Sequence, residues 1–313
     1  MPAASASSDT ITSVVVGTDF TPCSAVALSQ ALRIAAWSGA AVHAVHVIDT
    51  TVVIEIESVL SPMQQGIREG LTRDAERAWV EFAAGVAGAA GLPIAVSINN
   101  RIVGILRCAR EHRADLLVMG AFGDRRPDVG LGTVATACVR NSTADVLLVR
   151  DTQTGPFKTV VAAVDFSETS AKALRRAALF AAQDSAELHV LHDFAAPWRQ
   201  LHYRAPTPLA APHLQKQYRD GLDRRLHEFA RPVLEAHAGL KSRLVVHDCP
   251  GHRSGIVEYA GTAGADLIVL GTRGRTGLRD LLLGSTAEKA LDESRCSVLA
   301  VKPDGFAHAL AGA

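Results

Sequence analysis

Residues 265–286 read ADLIVLGTRGRTGLRDLLLGST. An apolar run ends in Gly271 and passes into a loop that holds Gly274, Gly277 and Gly284. The same run occurs earlier as ADLLVMG, at 114–120. Short runs of Val, Ile and Leu with little alternation suit parallel strands covered on both faces.

The repetition extends outward. SVVVGTDF at 13–20 matches TVVAAVDF at 159–166, and both lead through a cap-like segment, TPCS or SETS, into an Ala-rich stretch. AVHAVHVID at 41–49 matches ELHVLHDF at 187–194, and DVLLVR at 145–150 matches SVLAVK at 297–302. The offset drifts by a few residues, so the copies differ by small insertions and keep one order of elements. Two tandem α/β domains are expected, at 11–150 and 157–303, joined by the turn-rich DTQTGP at 151–156. Each reads as five strands alternating with helices, an open and mostly parallel sheet with helices on both faces. Long helices are expected at about 64–90 and 213–238. Thr21 and Ser167 are placed to cap the first helix of each half, and Pro22 sits where a missing N–H costs nothing. The last strand of each half reads as a sheet edge, so the halves are expected to pair as an internal pseudo-dimer, with a homodimer as the alternative.

Of the 313 residues 48% are hydrophobic, ample for two cores, and 32 basic residues balance 32 acidic ones. That balance gives no bulk attraction to nucleic acid or to an anionic membrane. Five scattered cysteines without a CxxC argue against a disulfide framework or structural zinc and fit a reducing cytoplasm. MPAASASSDT lacks the pattern of a signal peptide, and no apolar run has the length of a membrane span.

In open α/β sheets ligands bind beyond the carboxyl ends of the strands, where strand order reverses. The loop after 265–270 is therefore well placed. Its glycines let backbone approach a ligand closely. Consecutive N–H groups can form an anion nest, and a helix start at Ser285 and Thr286 favours phosphate. Arg273, Arg275 and Arg279 outweigh Asp280. The spacing from Gly271 through Gly274 to Gly284-Ser285, together with VDFSETS at 164–170, resembles the ATP-binding branch of the universal stress protein family. The likeness runs over both halves. It implies a strand order of 3-2-1-4-5 in each domain, with ATP, accompanied by Mg2+, lying across the ends of strands 1 and 4. By that resemblance Asp165 serves the ribose or adenine, and Val164 and Phe166 shape that end. Gly271, Thr272, Gly274, Gly284, Ser285 and Thr286 surround ribose and phosphates, with Arg273 and Arg275 as less fixed partners.

The first copy of the loop, GAFGDRRPDVGLGTV at 120–134, is one residue shorter. Pro127 fixes φ and removes a donor, Asp124 and Asp128 cancel Arg125 and Arg126, and Val134 replaces Thr286. Nucleotide is expected in the second half rather than the first.

No complete Walker phosphate loop and no GxSxG elbow are present, so at most weak ATP hydrolysis is expected. The His43/His46 and His189/His192 pairs, at a spacing of three, fall on opposite strand faces, which opposes chelation. His247, Asp248, Cys249 and His252 read as polar loop residues before a metal set. Cys108 and Cys138 fall in helices and Cys296 opens a strand, all as buried thiols. The segments 50–65 and 196–213 read as the most divergent loops; the second could cover the nucleotide site, pack between the halves, bind a partner or serve as a solvent-exposed structural loop. The reading is of a cytoplasmic, nucleotide-binding stress-response or regulatory protein acting through conformation or a protein partner. Its alternatives are a non-nucleotide interaction module of the same fold and a slow hydrolase.

Overall fold

A computed structural model describes residues 10–60, 66–123, 131–200, 211–249, 254–274 and 283–306. The described chain divides into two compact units, one running to Gly155 and one from Pro156 to Phe306.

In the first unit the elements run β1 (Ser13–Gly17), α1 (Pro22–Ser38), β2 (Ala41–Asp49), α2 (Thr50–Leu60), α3 (Ile67–Ala84), β3 (Ile94–Asn99), α4 (Arg101–Glu111), β4 (Leu116–Gly120), α5 (Thr133–Asn141) and β5 (Asp145–Val149). In the second they run β6 (Thr159–Ala163), α6 (Glu168–Asp184), β7 (Glu187–Phe194), α7 (Pro197–Gln200), α8 (Pro212–Ala236), β8 (Ser242–Asp248), α9 (Gly255–Ala263), β9 (Leu267–Gly271), α10 (Ser285–Glu293) and β10 (Ser297–Val301). Within the first unit the strands lie in the order β3-β2-β1-β4-β5, and within the second β8-β7-β6-β9-β10. Every pairing inside a unit is parallel. Order 3-2-1-4-5 thus holds twice, and it reverses between β1 and β4 and between β6 and β9.

Consecutive residues Val14, Val15 and Val16 are all buried, as are Leu116, Leu117 and Val118. Burial without alternation means helices cover both faces, as the apolar runs predict. Each such side chain contributes about 1.5–3 kcal/mol by leaving water. In the second unit α6 packs with α8, and α9 with α10. Register is pinned by a carboxylate in each unit. Asp115 accepts from the Thr12 and Ser13 N–H groups at 2.7 and 3.1 Å, and Asp266 from those of Lys158 and Thr159 at 2.8 and 3.1 Å. These bonds tie the start of each central strand to its neighbour. Burial pushes the Asp266 carboxyl above its ordinary value, against the pull of those N–H groups.

The caps form where the sequence places them. The Thr21 hydroxyl accepts from the Ser24 N–H at 3.3 Å, with Pro22 in the first turn, and the Ser167 hydroxyl from the Ser170 N–H at 3.2 Å. Two expectations need correction. Residues 50–60 are helical rather than loop, and 61–65 lie outside the described residues. The run TTVVIEIESVL is rich in β-branched residues of modest helix propensity, yet Val53 packs inward while Val52, Ile54, Val59 and Leu60 are exposed. The long helix of the first half stops at Ala84, short of 90, because Gly88 and Gly91 adopt positive φ beyond it. Its counterpart spans 212–236, close to expectation. Of the divergent segment 196–213, residues 197–200 form the short α7, and 201–210 lie outside the described residues.

Candidate functional site

The carboxyl ends of β6 and β9 flank the reversal in the second unit. Past β6 the chain runs through Val164, Asp165 and Phe166 into the cap of α6. Asp165 Oδ1 accepts from the Ser167 N–H at 3.0 Å and from its hydroxyl at 2.5 Å. The other oxygen, Oδ2, lies 2.7 Å from where a β-carbon on Gly274 would stand. The loop after β9 therefore rests directly on the Asp165 carboxylate, and a side chain at 274 has no room. Gly271 is equally confined, since its β-carbon would come within 2.9 Å of the Thr169 methyl on α6.

Thr272 is buried; its N–H and hydroxyl both donate to the Val301 carbonyl, at 2.9 and 3.2 Å. Gly284 returns the loop by donating its N–H to the Thr272 carbonyl at 3.0 Å, and it is the N-cap of α10 without a side-chain cap. Ser285 opens that helix and Thr286 follows. The first N–H groups of a helix have no partner within it, so the α10 start presents donors beside the loop. The Arg273 guanidinium lies over the Phe306 ring, 4.8 Å from its centroid. Arg275 lies outside the described residues, so ten of the eleven predicted site residues can be placed.

Phe166 has φ 65°, a strained conformation for a bulky side chain. Its ring centroid lies 4.3 Å from that of His192 and 5.5 Å from that of Phe229, and Arg225 sits over its face at 4.2 Å. His192 Nδ1 bonds the Val164 carbonyl at 2.8 Å. The first unit repeats the device: Phe20 has φ 63°, stacks on His46 at 4.4 Å and meets Phe82 at 5.5 Å. Burial holds the His46 imidazole below its ordinary value, although the bond to the Thr18 carbonyl acts the other way. The sequence reading identified Phe166 and missed His192, Phe229 and Arg225. The repeated DF before each cap was the available signal.

The glycine ends of the two units differ in chemistry. Gly123 lies against Asp19 Oδ2 as Gly274 does against Asp165. Yet Cys23, Ala121 and Phe122 stand where the second unit has Thr169, Thr272 and Arg273, and they form a buried apolar cluster with Leu131 packed on it. A phosphate at the uncapped start of α5 would have this apolar cluster beside it. Residues 124–130, including Pro127 and both loop aspartates, lie outside the described residues.

The remaining candidates separate. His189 Nδ1 meets the Tyr259 hydroxyl at 3.0 Å on the α9 side, away from the partners of His192. His43 stacks on His112 at 3.7 Å. His247 Nδ1 bonds Asp193 at 2.9 Å, Asp248 takes a two-point contact from Arg199 at 3.0 and 2.8 Å, and Cys249 donates to Glu258 at 3.7 Å. His252 lies outside the described residues, and among those described no group of three His, Cys, Asp or Glu could hold a metal ion. Burial pushes the Cys138 thiol up to about 12 and Cys108 up to about 11, values at which neither is a nucleophile near neutral pH. Cys296 is half-buried and just precedes β10. No described helix is long and apolar enough to cross a membrane.

Comparison with known proteins gives one consistent result. The family model described as "Universal stress protein family" matches residues 10–150 and again 156–302. The universal stress protein YxiE of Bacillus subtilis is 29% identical over 153 residues, 47% of this chain and 99% of that protein. A universal stress protein of Methanocaldococcus jannaschii is 29% identical over 147 residues, 47% of this chain and 82% of that protein. Among solved structures, a universal stress protein from Archaeoglobus fulgidus covers 94% of this chain and 97% of its own, with TM-score 0.61 and 18% identity, a likeness of fold.

Proposed function

The chain belongs to the universal stress protein family, and on that premise we propose that its second unit binds ATP and passes its occupancy on as a conformation read by a partner. The observation that carries the reading is the apposition of Gly274 to Asp165, 2.7 Å from a would-be β-carbon, beside the uncapped start of α10. Strand ends where loop backbone lies against a carboxylate with no side chain between, beside open N–H donors, offer a nucleotide close backbone approach. The residues fit the ligand. The Asp165 carboxylate accepts from ribose hydroxyls. The aromatic group of Phe166, His192 and Phe229 borders the base end. Backbone N–H groups from Ser285 onward and the hydroxyls of Ser285 and Thr286 donate to phosphates. Where Mg2+ accompanies the nucleotide, the Ser285 hydroxyl at the phosphate end would be an oxygen donor to it. Bound ATP supplies a polyanionic chain and the free energy of its binding; no residue is assigned to cleaving it.

A role in stress response and a cytoplasmic setting belong to the same proposal. So does the asymmetry between units, since the Cys23, Ala121, Phe122 and Leu131 cluster disfavours phosphate in the first. The test is mass spectrometry of small molecules released from the purified protein by denaturation. An adenine nucleotide at no more than one equivalent per chain is expected. A protein that is folded, free of nucleotide and unable to take up added ATP would contradict the reading and favour the interaction-module alternative.

A further inference from the structure

The glycine motif ends at Thr286, but the phosphate end of the crevice has another side. Val301 is in register with Gly271 on the adjacent strand, and its carbonyl accepts both Thr272 bonds. Lys302 therefore lies one residue past the strand position paired with Gly271, a residue of the predicted site. Its ammonium lies 4.6 Å from the Phe306 ring centroid, and the Arg273 guanidinium 4.8 Å from the same centroid. Two cations from neighbouring strand ends converge on one aromatic ring, whose quadrupole attracts each. The ring is carried by a turn in which the Phe306 N–H donates to the Pro303 carbonyl at 3.3 Å. Lys172 of α6 secures that turn, donating to the Lys302 carbonyl at 3.0 Å and pairing with Asp304 at 3.0 Å.

The first unit offers a comparison. Arg150 takes the place of Lys302 and lies over Phe122 at 5.6 Å. There the ring belongs to the loop itself and is packed into the apolar cluster with Cys23, Ala121 and Leu131. In the second unit the loop position is the cation Arg273, and the ring comes from a turn beyond the last strand. A ring packed in a core cannot be exchanged for a ligand; a ring on an outlying turn can. A polyphosphate is a stronger partner for two cations than an aromatic face, because it carries full charge and acceptor oxygens.

We propose that Lys302 is a binding residue for the terminal phosphates of a nucleoside triphosphate, together with Arg273, and that Phe306 is the built-in competitor that occupies both cations until the polyphosphate displaces it. The inference rests on the nucleotide reading above and adds a selectivity to it: the site distinguishes ligands by phosphate number. A monophosphate gains little from displacing the ring, and a triphosphate gains two charged contacts.

The experiment is calorimetric titration of the full chain with ATP and with AMP, comparing wild type with Phe306→Ala, Asp304→Asn, Lys302→Gln and a Phe306→Ala, Lys302→Gln double variant. Phe306→Ala is expected to tighten ATP roughly three- to ten-fold and leave AMP unchanged. Asp304→Asn, which loosens the turn without touching the ring, shifts ATP in the same direction. Lys302→Gln lowers the ATP-to-AMP preference, and in its background removal of the ring gains less. Unchanged or weaker ATP binding by Phe306→Ala overturns the competitor. An unchanged ATP-to-AMP preference in Lys302→Gln overturns the role of Lys302. Equal ATP binding by all variants sinks this inference alone, whereas no nucleotide binding by any of them sinks the nucleotide reading and this inference with it.

Discussion

Gly274→Val is expected to lower ATP affinity at least about a hundred-fold while leaving the protein folded. Gly274 is not in the left-handed region, so backbone strain is not the reason. The reason is space. A β-carbon at 274 would stand 2.7 Å from Asp165 Oδ2. The carboxylate cannot yield freely, because Oδ1 is bonded to the N–H and hydroxyl of Ser167 at 3.0 and 2.5 Å. The same hydroxyl accepts the Ser170 N–H at 3.2 Å and caps α6. The loop must therefore lift, and both walls of the crevice part. The stability cost is about 1–3 kcal/mol, the ordinary penalty of overpacking. Titration with ATP and thermal unfolding of the same sample separate the two effects. Loss of binding with an intact unfolding transition is the expected pair of results. Near-normal affinity would show that ligand does not lie where loop and carboxylate meet.

Gly255→Ala is expected to give a large stability loss, about 2–4 kcal/mol. Gly255 opens α9, and a β-carbon there would fall on the Asp193 carboxylate. The Asp193 side chain is 6% exposed and its Oδ1 is bonded to His247 Nδ1 at 2.9 Å, so the carboxylate cannot retreat without losing that bond. At the matching place in the first unit stands Val47, packed under Gly104 of α4, whose β-carbon would meet its two methyl groups at 2.8 and 2.9 Å. A valine can adjust its rotamer at a smaller cost than a bonded carboxylate can move. Gly104→Ala is accordingly expected to cost less, about 1–2 kcal/mol. Denaturant unfolding of the two variants checks the order. A Gly104→Ala protein less stable than Gly255→Ala would contradict it.

Much of the fold was legible because parallel strands buried on both faces must be apolar throughout. ADLLVMG and ADLIVLG carry that requirement openly, and repetition removes the ambiguity between strand and helix. The caps were legible because Thr21, Pro22 and Ser167 act on their own neighbours. Residues 50–60 were not, because β-branched side chains weigh against helix locally and the packing of Val53 outweighs them only in the folded unit. In the candidate site, the glycines stood out by their spacing, and Asp165 came with the resemblance to the family. His192, Phe229 and Arg225 reach Phe166 from β7 and α8, and no local pattern announces a contact made across elements. Phe306 was hidden for the same reason. It lies beyond the last strand, yet it takes the guanidinium that the charge of the loop alone would assign to phosphate.

The most direct measurement is the ATP stoichiometry of the wild-type chain against a Gly284→Asp, Ser285→Ala double variant. The substitution puts a carboxylate and removes a hydroxyl at the uncapped start of α10, where phosphate would meet open N–H groups. One ATP per wild-type chain, and none per folded variant chain, is the predicted result. Equal ATP binding by both proteins would contradict the placement of phosphate at this helix and with it the account of the second unit.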